Sequence, residues 1–183
     1  MGRIYGERIM LREYKKEDLD SMRRWVNNPE IVDNLSDIFL YPHTVNSTEE
    51  FLNNMLQCKS DIIGFVVADI DTEEYIGQID LVKIDWKNRV AEMGIVIGCK
   101  ENLGPGYGKE AIKLFQKFVF ESLNLNRLEL KVHDYNTRAR KCYVKCGFEE
   151  EGRIRQCFYK FGKYTDHIIM GILKNEYEYL KDN

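Results

Sequence analysis

Residues 102–111, "NLGPGYGKEA", set three glycines at alternate positions, Gly104, Gly106 and Gly108, directly before Lys109. Such a turn leaves its backbone N–H groups open, and a helix starting there adds the positive end of its dipole. The chemistry this suits is anion binding, phosphate above all. A nucleoside-triphosphate loop needs Gly, four residues, Gly-Lys and then a Ser or Thr hydroxyl for magnesium. Counted back from Gly108-Lys109, the first glycine falls on Leu103, and the hydroxyl position holds Glu110. A dinucleotide fingerprint begun at Gly104-x-Gly106 needs a glycine where Lys109 stands, and it needs a parallel βαβ unit. A coenzyme diphosphate bound by backbone amides, without metal, remains. An ordinary glycine-rich turn has the same composition, so the loop does not decide the matter alone.

A second set of residues lies in "NTRARKCYVKCGF", 136–148, where Asn136, Ala139, Tyr143, Gly147 and Phe148 recur at helical spacing. Asn136 and Tyr143 stand two turns apart on roughly one face, the asparagine at the cap position. A phenol placed there could act as a general acid. A core aromatic beside Ala139 and Cys146 is the structural alternative. The third candidate is Glu92 in "RVAEMGIVIG", 89–98. A carboxylate among apolar neighbours is costly unless it is used or paired. It could serve as a general base, directly or through water, or it would pair with Arg89 or another surface base. Cys99 and Cys142 have no recognisable His partner, which argues against a nucleophilic cysteine. Cys142 and Cys146 lack the further ligands of a zinc site, so no metal is expected. His43, His133 and His167 receive no role.

These residues need elements to hold them. "RIMLREY" alternates as a first strand, and "KKEDLDSMRRWV" has helical spacing, with Pro29 expected to stop it. Ser47 and Glu50 have capping-box spacing and open a second helix through about Gln57. "DIIGFVVADI", "EYIGQIDLVKI" and "RVAEMGIVIG" read as consecutive antiparallel strands between polar turns. A helix over 108–122 follows the glycines. Then come the strand "RLELKVH", a helix over "NTRARKCYVKC" closed by Gly147, and a hairpin turning near Gly162. A short helix at "NEYEYL" ends the chain. Strands outnumber helices, and the order predicts an α/β (α+β) mixed sheet with packed helices rather than a doubly wound parallel sheet.

Together, "GPGYGKEA" and the 136–148 motif resemble the GNAT superfamily of acetyl-CoA-dependent N-acetyltransferases, in particular its ribosomal-protein N-terminal and spermidine acetyltransferase group. The resemblance spans nearly the whole chain, from "LREYKKEDLDSMRRWVNNPEI" to "GFEEEGRIRQCFYKFGKYTDHIIMGIL". It implies a mostly antiparallel sheet splayed open for the cofactor, with helices on both sides. It also implies Tyr143 as the acid that protonates the coenzyme sulfur, and Glu92 near the acceptor amine as base or water-holder. Acetyl-CoA would lie along Ile95, Val96 and Ile97, whose strand supplies an oxyanion-binding N–H aided by a bulge at Gly94 or Gly98. It would continue over Leu103, Gly104, Pro105, Gly106, Tyr107, Gly108 and Lys109, with Asn136, Ala139 and Lys141 completing its contacts. Lys100, Arg138 and Arg140 are further candidates for its 3′-phosphate. One departure stands out. Aligned on Gly106-Tyr107-Gly108, the position the family usually fills with Arg or Gln is Leu103.

The 183 residues suit one acetyltransferase domain over 1–183, and the net charge of -3 gives no general pull toward nucleic acid or anionic membranes. No long apolar run marks an export signal or membrane span, and five irregularly spaced cysteines make no disulfide framework. A reduced cytoplasmic setting is therefore expected. No Lys or Arg occurs between Arg24 and Lys59, an interval that holds Glu30, Asp33, Asp37, Glu49 and Glu50 with Trp25, Phe39 and Tyr41. Acids and aromatics there suit a polyamine such as spermidine, although acids in a helix's first turn explain Glu49 and Glu50 equally well. A peptide N-terminus, an antibiotic or an amino sugar is the alternative acceptor, and a weak acyl-CoA-binding sensor is the alternative function. A homodimer through the C-terminal hairpin is compatible with the pattern.

Overall fold

In the computed structural model, residues 2–182 are described, the side chain of Lys100 excepted. Eight strands are hydrogen-bonded in the order β1 (Ile4–Tyr5), β2 (Ile9–Arg12), β3 (Ile63–Asp69), β4 (Tyr75–Asp85), β5 (Val90–Ile97), β6 (Arg127–His133), β8 (Lys163–Leu173), β7 (Glu149–Lys160). The β1–β2, β2–β3, β3–β4, β6–β8 and β7–β8 pairs are antiparallel, while β5 and β6 run parallel. The expected mixed, mostly antiparallel sheet is therefore present. The chain divides into two compact units, Met1–Val82 with Gly94–Leu114, and Lys83–Met93 with Phe115–Asn183.

Three helices of the first unit, α1 (Asp18–Trp25), α2 (Pro29–Val32) and α3 (Val45–Leu56), lie between β2 and β3 in the chain. Helix α1 carries Asp18 and Asp20 in its first turn and Arg23 and Arg24 in its last, matching the helix dipole at both ends. Its apolar side meets α3 and the strands in a core of Met10, Tyr14, Met22, Leu52, Val66 and Ala68. A second core gathers Trp25, Val26, Ile31, Val32 and Val96. At Gly98, just past β5, a Cβ would stand 2.5 Å from the Trp25 ring. Close packing of the indole thus accounts for this glycine without a bulge.

Two helix starts differ from the sequence expectation. Pro29 opens α2 instead of merely stopping α1, because a proline costs no hydrogen bond at the first helical position and Asn28 caps the Glu30 N–H at 3.1 Å. The capping residue of α3 is Thr44, three residues before the expected Ser47, and its hydroxyl oxygen accepts from the Ser47 N–H at 3.1 Å.

In the second unit, the β7–β8 hairpin turns at Gly162, whose φ is +74°, and β8 pairs along all of β6 from Arg127↔Leu173 to His133↔His167. The helix expected over 108–122 is α4 (Tyr107–Lys117), which begins in the first unit and continues in the second as a π-helical turn, Phe118–Ser122. Phe115, Phe118, Val119 and Phe120 are buried. Helix α5 (Thr137–Lys145) ends at Gly147, where φ is +92° and a Cβ would sit 2.4 Å from Leu180 of α6 (Lys174–Asp182). Among the described residues, no helix is long and apolar enough to cross a membrane.

Candidate active site

The left-handed glycines of the loop are Gly104 (φ +111°) and Gly106 (φ +102°), while Gly108 already lies inside α4. The turn is thus Gly104-Pro105-Gly106, two residues earlier than the pair on which the sequence was aligned. Positive φ is what demands glycine there. Leu103 packs with the Trp25–Val96 core, so its side chain anchors the loop inward. Tyr107 and Lys109 stand in the first turn of α4.

What holds this turn was not visible in the sequence. The Glu110 carboxylate accepts backbone N–H bonds from Glu7 at 2.8 Å, Arg8 at 2.9 Å and Ile9 at 3.3 Å. The Arg8 Nε donates to Glu110 Oε2 at 3.0 Å, and Arg8 Nη1 donates to the Pro105 carbonyl at 2.9 Å. The same guanidinium lies 5.0 Å from the Tyr107 ring centroid. Burial works to raise the Glu110 pKa, but the N–H groups of Arg8 and Glu7 and the guanidinium outweigh it, leaving the carboxyl below its ordinary value.

Asn136, in the second unit, caps α5 by accepting the Ala139 N–H at 3.2 Å, as its position predicts. Tyr143 sits two turns along, half-buried, edge-on to Phe148 at 5.9 Å. Burial, with smaller contributions from Cys142 and Cys146, pushes its phenol well above the usual tyrosine pKa. The phenol thus holds its proton more tightly than an ordinary tyrosine does. Lys141 and Arg138 are exposed, and Arg140 is engaged by Glu150 Oε1 at 2.6 Å and 2.9 Å. The Lys100 side chain lies outside the described residues.

Glu92, on β5 in the same unit, binds Lys131 Nζ through both carboxylate oxygens, at 3.0 Å and 3.1 Å. Its pairing partner is thus a lysine from the adjoining strand rather than Arg89, whose guanidinium is turned to the Asn124 side chain at 2.9 Å. Ile95, Val96 and Ile97 form the end of β5 in the first unit, with Val96 buried.

Sequence reasoning also passed over Asp80, on β4. Burial raises its pKa to about 6, against the opposing effect of hydrogen bonds from the Tyr14 hydroxyl at 2.9 Å and the Gln78 amide at 3.2 Å. The network extends through the Tyr75 hydroxyl, which donates to Gln78 Oε1 at 3.0 Å, to the Trp25 indole N–H at 3.2 Å. Its one local signal was Asp80 itself, an acid inside the apolar run of "EYIGQIDLVKI". Among the described residues, no group of three or more His, Cys, Asp or Glu is arranged to hold a metal ion.

The mostly antiparallel sheet is not the doubly wound architecture that a dinucleotide would require, and the Tyr143 phenol keeps its proton at neutral pH. Residues 8–149 match the Acetyltransferase (GNAT) domain, a span that runs through both units, and the chain belongs to this family of N-acetyltransferases. It is 31% identical over 180 residues to the uncharacterized N-acetyltransferase p20 of Bacillus licheniformis, covering 97% of this chain and 99% of that protein. It is also 31% identical over 173 residues to the spermidine N(1)-acetyltransferase of Vibrio cholerae serotype O1, covering 94% and 96%. The crystal structure of spermidine N-acetyltransferase from Vibrio cholerae in complex with CoA and spermine superposes with a TM-score of 0.82 at 28% identity, over 94% of this chain and 99% of that one.

Proposed function

We propose that this N-acetyltransferase moves the acetyl group of acetyl-CoA directly to a primary amine of a polyamine such as spermidine. The observation that carries the reading is the end-to-end likeness to the Vibrio cholerae enzyme whose crystal structure holds CoA and spermine. The acid-rich interval adds support, since Glu30, Asp37, Glu49 and Glu50 are all exposed in a stretch that contains no Lys or Arg. A polycation is drawn to such a surface.

In this reading the Gly104–Gly106 turn and the N-terminal amides of α4 cradle the coenzyme diphosphate, as helix N-termini do. An amine with a pKa of about 10.4 arrives protonated. Glu92 takes its proton, directly or through water, its two carboxylate oxygens being held by Lys131. The free amine attacks the thioester carbonyl carbon, with the oxyanion met by a backbone N–H within Ile95–Ile97. The C–S bond then breaks, and Tyr143 gives its phenolic proton to the departing sulfur.

Thiol release from acetyl-CoA, measured with spermidine, spermine, ribosomal-protein N-terminal peptides, aminoglycosides and amino sugars, tests the proposal. Turnover is expected with the polyamines. Tyr143→Phe should lower kcat by roughly 100-fold or more, and Glu92→Gln by a similar factor, the usual worth of a general acid or base. Turnover confined to peptides or sugars overturns the acceptor, and full activity in Tyr143→Phe overturns the acid.

A further inference from the structure

The turn that would bind the diphosphate has no charged side chain of its own between Leu103 and Tyr107. A cation nevertheless stands against it. The Arg8 guanidinium clasps the Pro105 carbonyl, and its Nη2 lies 3.3 Å from where a Cβ of Gly106 would be. It is held there from three directions: Glu110 Oε2 faces Nε and Nη2 at 3.0 Å, Pro105 faces Nη1, and the Tyr107 ring lies beneath. These contacts engage only part of the five-donor fork, and nearly half of the side chain, 47%, is open to solvent.

We propose that Arg8 is a positioning residue for the cofactor. It fixes the Gly104–Gly106 turn in its diphosphate-binding shape and sets its own positive charge beside that diphosphate. The inference rests on the acetyl-CoA reading above and adds to it a residue far from the loop in sequence. Glycines that adopt φ above +100° are free to adopt other conformations too. An external clasp on the intervening proline carbonyl therefore narrows the turn's ensemble before the ligand arrives. A guanidinium suits this task because its planar fork satisfies a carbonyl and a carboxylate together and still presents charge.

Replacing Arg8 spares the larger anchor, because Glu110 Oε1 still receives the three backbone N–H bonds of residues 7, 8 and 9. The test is CoA binding by calorimetry together with steady-state kinetics on Arg8→Gln and Arg8→Lys, with thermal melts to confirm folding. CoA affinity is expected to fall about 10-fold in Arg8→Gln, the usual scale for a charge-assisted contact. The KM for acetyl-CoA should rise to match, while kcat and the KM for the amine stay within about twofold. Arg8→Lys should recover part of the loss through its charge. Unchanged CoA affinity in a folded Arg8→Gln overturns the inference, as does an equal loss across kcat and both KM values. Failure of the wild type itself to bind CoA sinks the acetyl-CoA reading and this inference with it.

Discussion

Asp80 in the first unit and Glu92 in the second are both acids on largely apolar strands, yet their surroundings are opposite. Asp80 is buried, receives two neutral hydrogen bonds, forms no ion pair among the described residues, and has its pKa pushed up to about 6. Glu92 is partly open, and Lys131 neutralises it at both oxygens. An acid in a strand pattern is therefore not yet a functional signal. Depth and the reach of a cation decide what it can do, and neither is written in the residue's immediate neighbours. Asp18 supplies the intermediate case. It is as buried as Asp80 but is matched by Arg12, which binds its two oxygens at 2.7 Å and 2.9 Å.

The largest effect on stability should come from breaking that matched pair. Asp18→Ala leaves the Arg12 guanidinium buried, with only the Glu13 and Glu73 carbonyls as partners. The expected cost is about 3–5 kcal/mol, read as a lower denaturant midpoint. A loss below about 1 kcal/mol would place Asp18 with the surface acids and remove the distinction between buried and exposed pairs.

Asp80→Asn comes next, and its signature is pH dependence. The folded-state pKa of about 6 lies above the ordinary 3.8, so the folded protein binds the proton more tightly than the unfolded chain does. The stability linked to this proton is complete below the unfolded value and is lost as pH rises through the folded one. The total is about 3 kcal/mol as an order of magnitude. Stability profiles of wild type and Asp80→Asn should therefore diverge between about pH 4 and pH 6, with the asparagine variant gaining relative to wild type as pH rises. Parallel profiles across that window would show that Asp80 carries an ordinary carboxylate pKa and would erase its contrast with Glu92.

The contrast also marks where sequence reading succeeded. The helix from Asn136 to Gly147 was legible because its cap, periodicity and left-handed stop are local signals within a dozen residues. The succession of β3, β4 and β5 as sheet neighbours followed from β-branched runs and short turns in the same way, whereas the short edge strand β1 and the pairing of β2 with β3 across three helices did not. Thr44 escaped notice because Ser47 offered a better-looking capping box, and the choice between them depends on where the chain enters the helix. Arg8 with Glu110, Tyr14 with Asp80, and Glu92 with Lys131 were out of reach for a different reason. Each pair is joined by the fold across a long stretch of chain, and hydrophobic periodicity specifies a face without naming the partner on it.

The smallest expected effect belongs to Lys131→Ala. Both members of the Lys131–Glu92 pair are partly exposed, at 45% and 23% of the side chain, and pairs of this kind contribute about 0.2–1 kcal/mol. The variant should lose no more than that at low ionic strength, and the difference from wild type should shrink in about 1 M salt, where the screening length is near 3 Å. The Asp80→Asn divergence should survive the same salt, because buried charges are screened far less. Salt thus separates the two acids independently of pH. If the Lys131→Ala loss reached several kcal/mol and persisted in salt, Glu92 would have to be treated as a buried charge dependent on its lysine. The base role proposed for it would then have to be tested in the Lys131 variant as well.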